Sequence, residues 1–186
     1  MTNTIFENAA DRIIDIAKRF ASALDQAGIP YRVVGGLAVF LHVDRIAPIA
    51  ARMTRDVDVA IERRHLAAIQ KAVEPYGFKY RHVAGIDMFV DAGAPKARNA
   101  VHAIFVGERV RPQDPAVIPG SEPVPTEAGI LIAPVVDLVR MKLTSFRLKD
   151  KVHIQDMDSV GLITPEIEES LPELLRERLR EVRAAE

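Results

Sequence analysis

Two aspartates one residue apart, Asp56 and Asp58, interrupt an apolar run that reads DVDVAI. Side chains on a strand alternate between faces. Both carboxylates therefore point to one side, with Val57 and Val59 on the other. Two carboxylates on one face repel each other and resist desolvation, and water or a bound cation reconciles them. Oxygen ligands alone suit a hard cation such as Mg²⁺. A second feature lies upstream, where the run YRVV (31–34) is followed by Gly35-Gly36. Two glycines after a strand permit a tight turn and a close backbone approach. The helix expected from Leu37 to Val43 would offer its N-terminal amides to phosphate. Each feature also has a plain structural reading: a sharp strand-to-helix bend for the glycines, a solvated strand face for the aspartates. The glycine pair is neither the GxxxxGK loop nor the GxGxxG fingerprint. Arg52 and Arg55 flank the acidic pair, as ion-pair partners for it or as ligands for phosphate oxygens.

The elements that must position these groups follow from periodicity. Ile5, Ala9, Ile13, Ile16, Phe20 and Leu24 recur at helical steps, so residues 5–27 are expected to form a helix. Thr4 or Asn3 would cap its start, Glu7 completing a capping box, and Gly28 and Pro30 stop it. Strands are expected at 31–34, 56–61 and 100–106, and a hairpin at 78–82 and 86–91 turning at Ala84-Gly85. A helix is expected at 64–72. Residues 110–125 carry five prolines (Pro112, Pro115, Pro119, Pro123, Pro125) and read as a stiff surface loop. Pro134 suits the first turn of a helix over 135–147. The stretch LKDKVHIQDMDSVGLI reads as a turn and a short helix, and Thr164-Pro165 caps a last helix that Pro172 divides in two. The sum is an α/β (α+β) chain: a small mixed twisted sheet flanked by helices, with a core over 1–132 and a helical part over 133–186.

Composition excludes several roles. The 186 residues are 48% hydrophobic, enough for a real core, and the net charge of −1 gives no global pull towards nucleic acid or anionic lipid. With no cysteine there is no disulfide, thiol chemistry or thiolate zinc site, which favours a cytoplasmic home. Arg and Asp break every candidate membrane span, and Glu7 and Asp11 make the first residues unlike a secretion signal. His42, His65, His82 and His153 have no metal-ligand spacing; His153 has two readings, facing the same pocket as Asp150 and Asp156 or lying on the surface, and the surface position is the expected one.

The order helix, strand, Gly35-Gly36, helix, then Thr54-Arg55-Asp56-x-Asp58 resembles the nucleotidyltransferase superfamily with the DNA polymerase beta-like fold. Lys142, Arg147, Lys149, Asp150 and Asp156, spaced K-x(4)-R-x-KD-x(5)-D, are similar to a run in its small bacterial branch. That branch includes the toxins of abortive-infection toxin–antitoxin pairs. The resemblance covers about residues 5–162. It implies that Gly35, Gly36, Arg55, Lys142 and Arg147 contact a nucleoside triphosphate, while Asp56 and Asp58 hold Mg²⁺ or Mn²⁺. Lys142 has a second reading, neutralising Asp150 or Asp156. The implied reaction moves a nucleoside monophosphate to a hydroxyl of tRNA, protein or a small molecule, and a protein partner is also expected.

The resemblance further implies a third carboxylate on a neighbouring strand, where Ala100–Phe105 instead offers His102. A neutral imidazole brings one nitrogen and no charge, and suits Zn²⁺ or Mn²⁺ better than Mg²⁺. Three readings follow. His102 acts as general base; Asp87 or Asp91 supplies the missing carboxylate; or the chain is a catalytically degenerate nucleotide-sensing or protein-interaction module.

Overall fold

A computed structural model describes residues 3–52, 54, 56–93 and 100–185, with the backbone alone for 3–10 and Ile49. The chain opens with helix α1 (Asn3–Gln26), strand β1 (Tyr31–Val34) and helix α2 (Gly35–Asp44). Strand β2 (Val57–Ile61), helix α3 (Leu66–Val73), the hairpin β3 (Phe78–Val83) and β4 (Ile86–Asp91), and β5 (Ala100–Phe105) follow. Two short strands, β6 (Val124–Pro125) and β7 (Leu131–Ile132), precede four helices: α4 (Val135–Ser145), α5 (Leu148–Ser159), α6 (Pro165–Glu169) and α7 (Glu173–Ala184).

The strands form one mixed sheet in the order β3-β4-β5-β2-β1-β7-β6. β2 runs antiparallel to β1 and parallel to β5. Register decides which residues share a face. Val34, Asp58, His102 and Met88 form one row across β1, β2, β5 and β4. The neighbouring row, Val33, Val59, Ala103 and Asp87, therefore points the other way. That second face carries the apolar core under α1. Phe20 of α1 packs edge-on against Phe78 at 5.4 Å and against Phe89 at 5.1 Å. Ile16, Ala17 and Leu24 continue the α1 stripe, all buried. Each large side chain so buried contributes roughly 1.5–3 kcal/mol. α2 packs against β1 and β2 and is backed by α4 and α5.

Several boundaries differ from the sequence expectation. Thr4 lies inside α1 rather than ahead of it, and the side chains of the expected capping box lie outside the described residues. Residues 148–159 form one continuous helix with no turn in it. Its start is set by Arg147 and Asp150: the Asp150 carboxylate accepts the Arg147 backbone N–H at 3.2 Å, closing a capping box that the S/T-x-x-E pattern does not reveal. The proline-rich loop ends in a strand, because Val124 pairs with Ile132 and extends the sheet. Thr164 caps α6, accepting the Ile167 N–H at 3.4 Å, and Pro172 separates α6 from α7.

Candidate functional site

β1 ends at Val34, and the next residue turns the chain into α2. Gly35 has φ +69°, a left-handed value that favours glycine. The turn is also filled. A Cβ on Gly35 would collide with the Asp58 carboxylate, whose Cγ lies 3.0 Å from that position. A Cβ on Gly36 would meet Thr54 Oγ1 at 2.7 Å and His153 Cε1 at 3.4 Å. Thr54 in turn accepts the Asp56 N–H at 3.4 Å. The glycine pair and the acidic pair are thus one packed unit, with Gly35 against Asp58 and Thr54 bridging Gly36 and Asp56. Asp56 stands one residue before β2 and not within it, whereas Asp58 lies in the strand beside Val34 and His102.

This unit opens onto a cleft of about 480 Å³ between the sheet and the C-terminal helices. Gly35, Gly36, Asp56, Asp58, Lys142 and Arg147 all line it. Arg55 lies outside the described residues. His102 adjoins the cleft: its Nδ1 is 3.5 Å from Asp58 Oδ1, long for a hydrogen bond. Contact with Asp58 raises the His102 pKa; burial opposes the rise, and the charge of Asp56 adds to it. The imidazole therefore draws on the same negative charge that a cation would use.

The basic residues opposite are organised around Asp150. This carboxylate is fully buried, and Lys142 is 6% exposed. Lys142 Nζ reaches Asp150 Oδ1 at 3.2 Å; Ser145 Oγ and Arg147 Nε donate to Oδ2 at 2.7 Å each. Burial works against the Asp150 charge, but Arg147, Lys142 and Ser145 outweigh it and hold the pKa at about 2. Burial lowers the Lys142 pKa, with Asp150 opposing. Of the two readings for Lys142, ion pairing with Asp150 is the one the geometry realises. Asp156 is paired elsewhere, with Arg52 at 2.9 Å, so Arg52 does not serve the Asp56–Asp58 pair.

Two expectations are overturned. Asp87 and Asp91 project from the face opposite Asp58. Asp87 Oδ1 accepts from Tyr80 Oη at 2.5 Å and contacts His82 Nδ1 at 2.8 Å, while Asp91 pairs with Arg19 of α1 at 2.5 Å. Neither can supply a third carboxylate to the Asp58 face. His153 is not on the outer surface. It lines the cleft over Gly36, and burial, with Lys142 next, lowers its pKa to about 4. Its position on α5, three residues after Asp150, was the available signal, since i and i+3 share a helix face.

Among the described residues no three His, Asp or Glu side chains converge as a metal-binding set. Among the described residues no helix is long and apolar enough to cross a membrane.

No family model and no curated protein matches the chain in sequence. Solved structures do match in shape. An antigenic nucleotidyltransferase-like protein from Paracoccidioides brasiliensis superposes with a TM-score of 0.62 at 17% identity, over 95% of this chain and 89% of that one. ANT(2")-Ia in complex with adenylyl-2"-tobramycin superposes with a TM-score of 0.52 at 12% identity, over 92% and 95% of the two chains. The architecture, a mixed sheet flanked by helices with a helical C-terminal part, is therefore nucleotidyltransferase-like. At such identities the likeness concerns the fold, and what the cleft does has to be argued from its own residues.

Proposed function

We propose that the cleft binds a nucleoside triphosphate together with a divalent cation, Mg²⁺ or Mn²⁺, and transfers the nucleoside monophosphate to a hydroxyl. One observation carries the reading: in the uncapped first turn of α2, Gly35 is packed directly against Asp58 and Gly36 against Thr54, which holds the Asp56 N–H, all in one cleft. Unpaired amides at a helix start attract phosphate, and paired carboxylates beside them attract its counter-cation. Asp56 and Asp58 would hold the cation, which when bound neutralises phosphate charge. Arg147 and Lys149, both exposed at the cleft, would meet phosphate oxygens, while Lys142 stabilises the wall through Asp150. His102, next to Asp58, would take the proton of the attacking hydroxyl as the oxygen–phosphorus bond forms and pyrophosphate leaves. Residues 1–132 would then supply the catalytic face and 133–186 the opposing wall. The acceptor hydroxyl belongs to tRNA, a protein or a small molecule. A protein partner is the further expectation from the toxin–antitoxin resemblance.

Calorimetric titration with each nucleoside triphosphate, with and without Mg²⁺ or Mn²⁺, tests the reading on the wild type and on Asp56→Asn. Metal-dependent binding that the variant loses is the expected result; no binding under any metal refutes it. A second reading, a degenerate sensing or protein-interaction module, draws on one specific observation. An imidazole occupies the row position beside Asp58, where a carboxylate would complete a metal site. His102→Asp discriminates the two. In a degenerate module it tightens cation binding and creates transfer that the wild type lacks; in an enzyme using His102 as base it tightens cation binding and lowers existing transfer.

A further inference from the structure

His153 has no role in the reading above, yet it lines the cleft. Its Nδ1 is buried and has no hydrogen-bond partner among the described residues. That atom is closed off from the cleft and goes without a partner at a cost of roughly 1–3 kcal/mol, so the part of the ring that can meet a ligand is the edge that lines the cleft. The Cε1 edge of the ring, which lies between the two nitrogens, faces the Gly36 turn. The groups around it are cationic on balance: Lys142 from α4, then Arg147 and Lys149 at the start of α5, against Asp150, which is already saturated. Thr54 Oγ1 lies against the same Gly36 position, 2.7 Å from where its Cβ would stand.

We propose that His153 is a phosphate-contacting residue, donating an imidazole N–H to a phosphate group seated at the Gly35–Gly36 turn. The inference rests on the nucleotide reading for its biological ligand, but not for its test, since the chemistry required is that of phosphate alone. A neutral ring suits the empty cleft, where Lys142 and burial disfavour a further positive charge. An arriving phosphate reverses that balance by placing acceptor oxygens at the ring edge, and it draws the imidazole towards its protonated form.

The probe is inorganic tripolyphosphate without metal, followed by the ¹⁵N and ¹³C ring signals of His153 across pH. The expected result is a specific shift of these signals on titration and a rise of the His153 pKa from about 4 towards its ordinary value. His153→Ala is expected to weaken tripolyphosphate binding about tenfold, the loss of one charge-assisted hydrogen bond, and His153→Gln, which keeps a side-chain N–H, to recover much of it. Unchanged ring signals in the presence of bound tripolyphosphate, or wild-type affinity in His153→Ala, would overturn the proposal. So would failure of tripolyphosphate to bind at millimolar concentration. If tripolyphosphate shifts His153 while no nucleoside triphosphate binds, the phosphate contact stands and the nucleotide reading falls.

Discussion

Replacing Gly35 by alanine separates a backbone requirement from a site requirement. The left-handed φ of +69° costs an L residue about 1–2 kcal/mol by itself. Gly85 has a similar φ of +77° in the β3–β4 hairpin, with nothing within 4 Å of its missing Cβ. Gly85→Ala therefore reports the backbone cost alone. At Gly35 the new methyl also overlaps the Asp58 carboxylate, and the Asp58 Cβ stands only 3.1 Å away on a central strand. Swinging the carboxylate aside relieves the outer clash but leaves the inner one, an overpacking of about 1–3 kcal/mol. Gly35→Ala should thus lose about 2–5 kcal/mol, and Gly85→Ala about 1–2 kcal/mol. At this chain length a difference of about 1–3 kcal/mol lowers Tm by roughly 2–12 °C more in the first variant. Urea unfolding measures the pair, and calorimetry measures nucleotide binding on whatever fraction remains folded. Equal losses in the two variants, with metal-dependent binding kept in Gly35→Ala, would refute the packed glycine–carboxylate unit.

Other variants probe the surrounding framework. Asp150→Asn removes the counter-charge of buried Lys142 and weakens the α5 cap, and should cost about 3–5 kcal/mol in urea unfolding; a loss under 1 kcal/mol would mean that Lys142 finds another partner. Asp87→Asn and Asp91→Asn should leave nucleotide and cation affinity unchanged, because both carboxylates lie on the α1 face; a loss of binding in either would break the register argument. For pH, the folded-state value of His153, about 4, lies below the unfolded value near 6.5. Between these values the unfolded chain binds a proton that the folded chain does not. The contribution is present above pH ~6.5 and is lost as pH falls towards ~4. Linkage allows about 3 kcal/mol, and partial exposure of the ring reduces the expectation to about 1–2 kcal/mol. The measurement is the stability of wild type relative to His153→Gln at pH 7 and pH 5; a gap that does not change would exclude a neutral, protected ring.

What could be read in advance depended on whether local spacing carried the answer. The α1 stripe, the β1 turn and the Ala84-Gly85 hairpin are short-range patterns, and they lie where periodicity and turn chemistry put them. Asp58 lies on the strand that alternation called for, whereas Asp56 stands one residue outside β2 and reaches the same cleft from the preceding loop. The face on which Asp87 lies relative to Asp58 is a different kind of fact. It requires the register of three strands, and one residue of slip would have placed Asp87 where Met88 now stands beside His102. Lys142 and Asp150 were visible as a motif, but a motif does not say whether the charges face a ligand or each other. Burial decides that, since an uncompensated charge in the wall between α4 and α5 would cost more than a phosphate contact returns. His153 was assigned to the surface because a lone histidine among charged neighbours reads that way. Only the packing of α5 against α2 turns it inward, over the Gly36 turn.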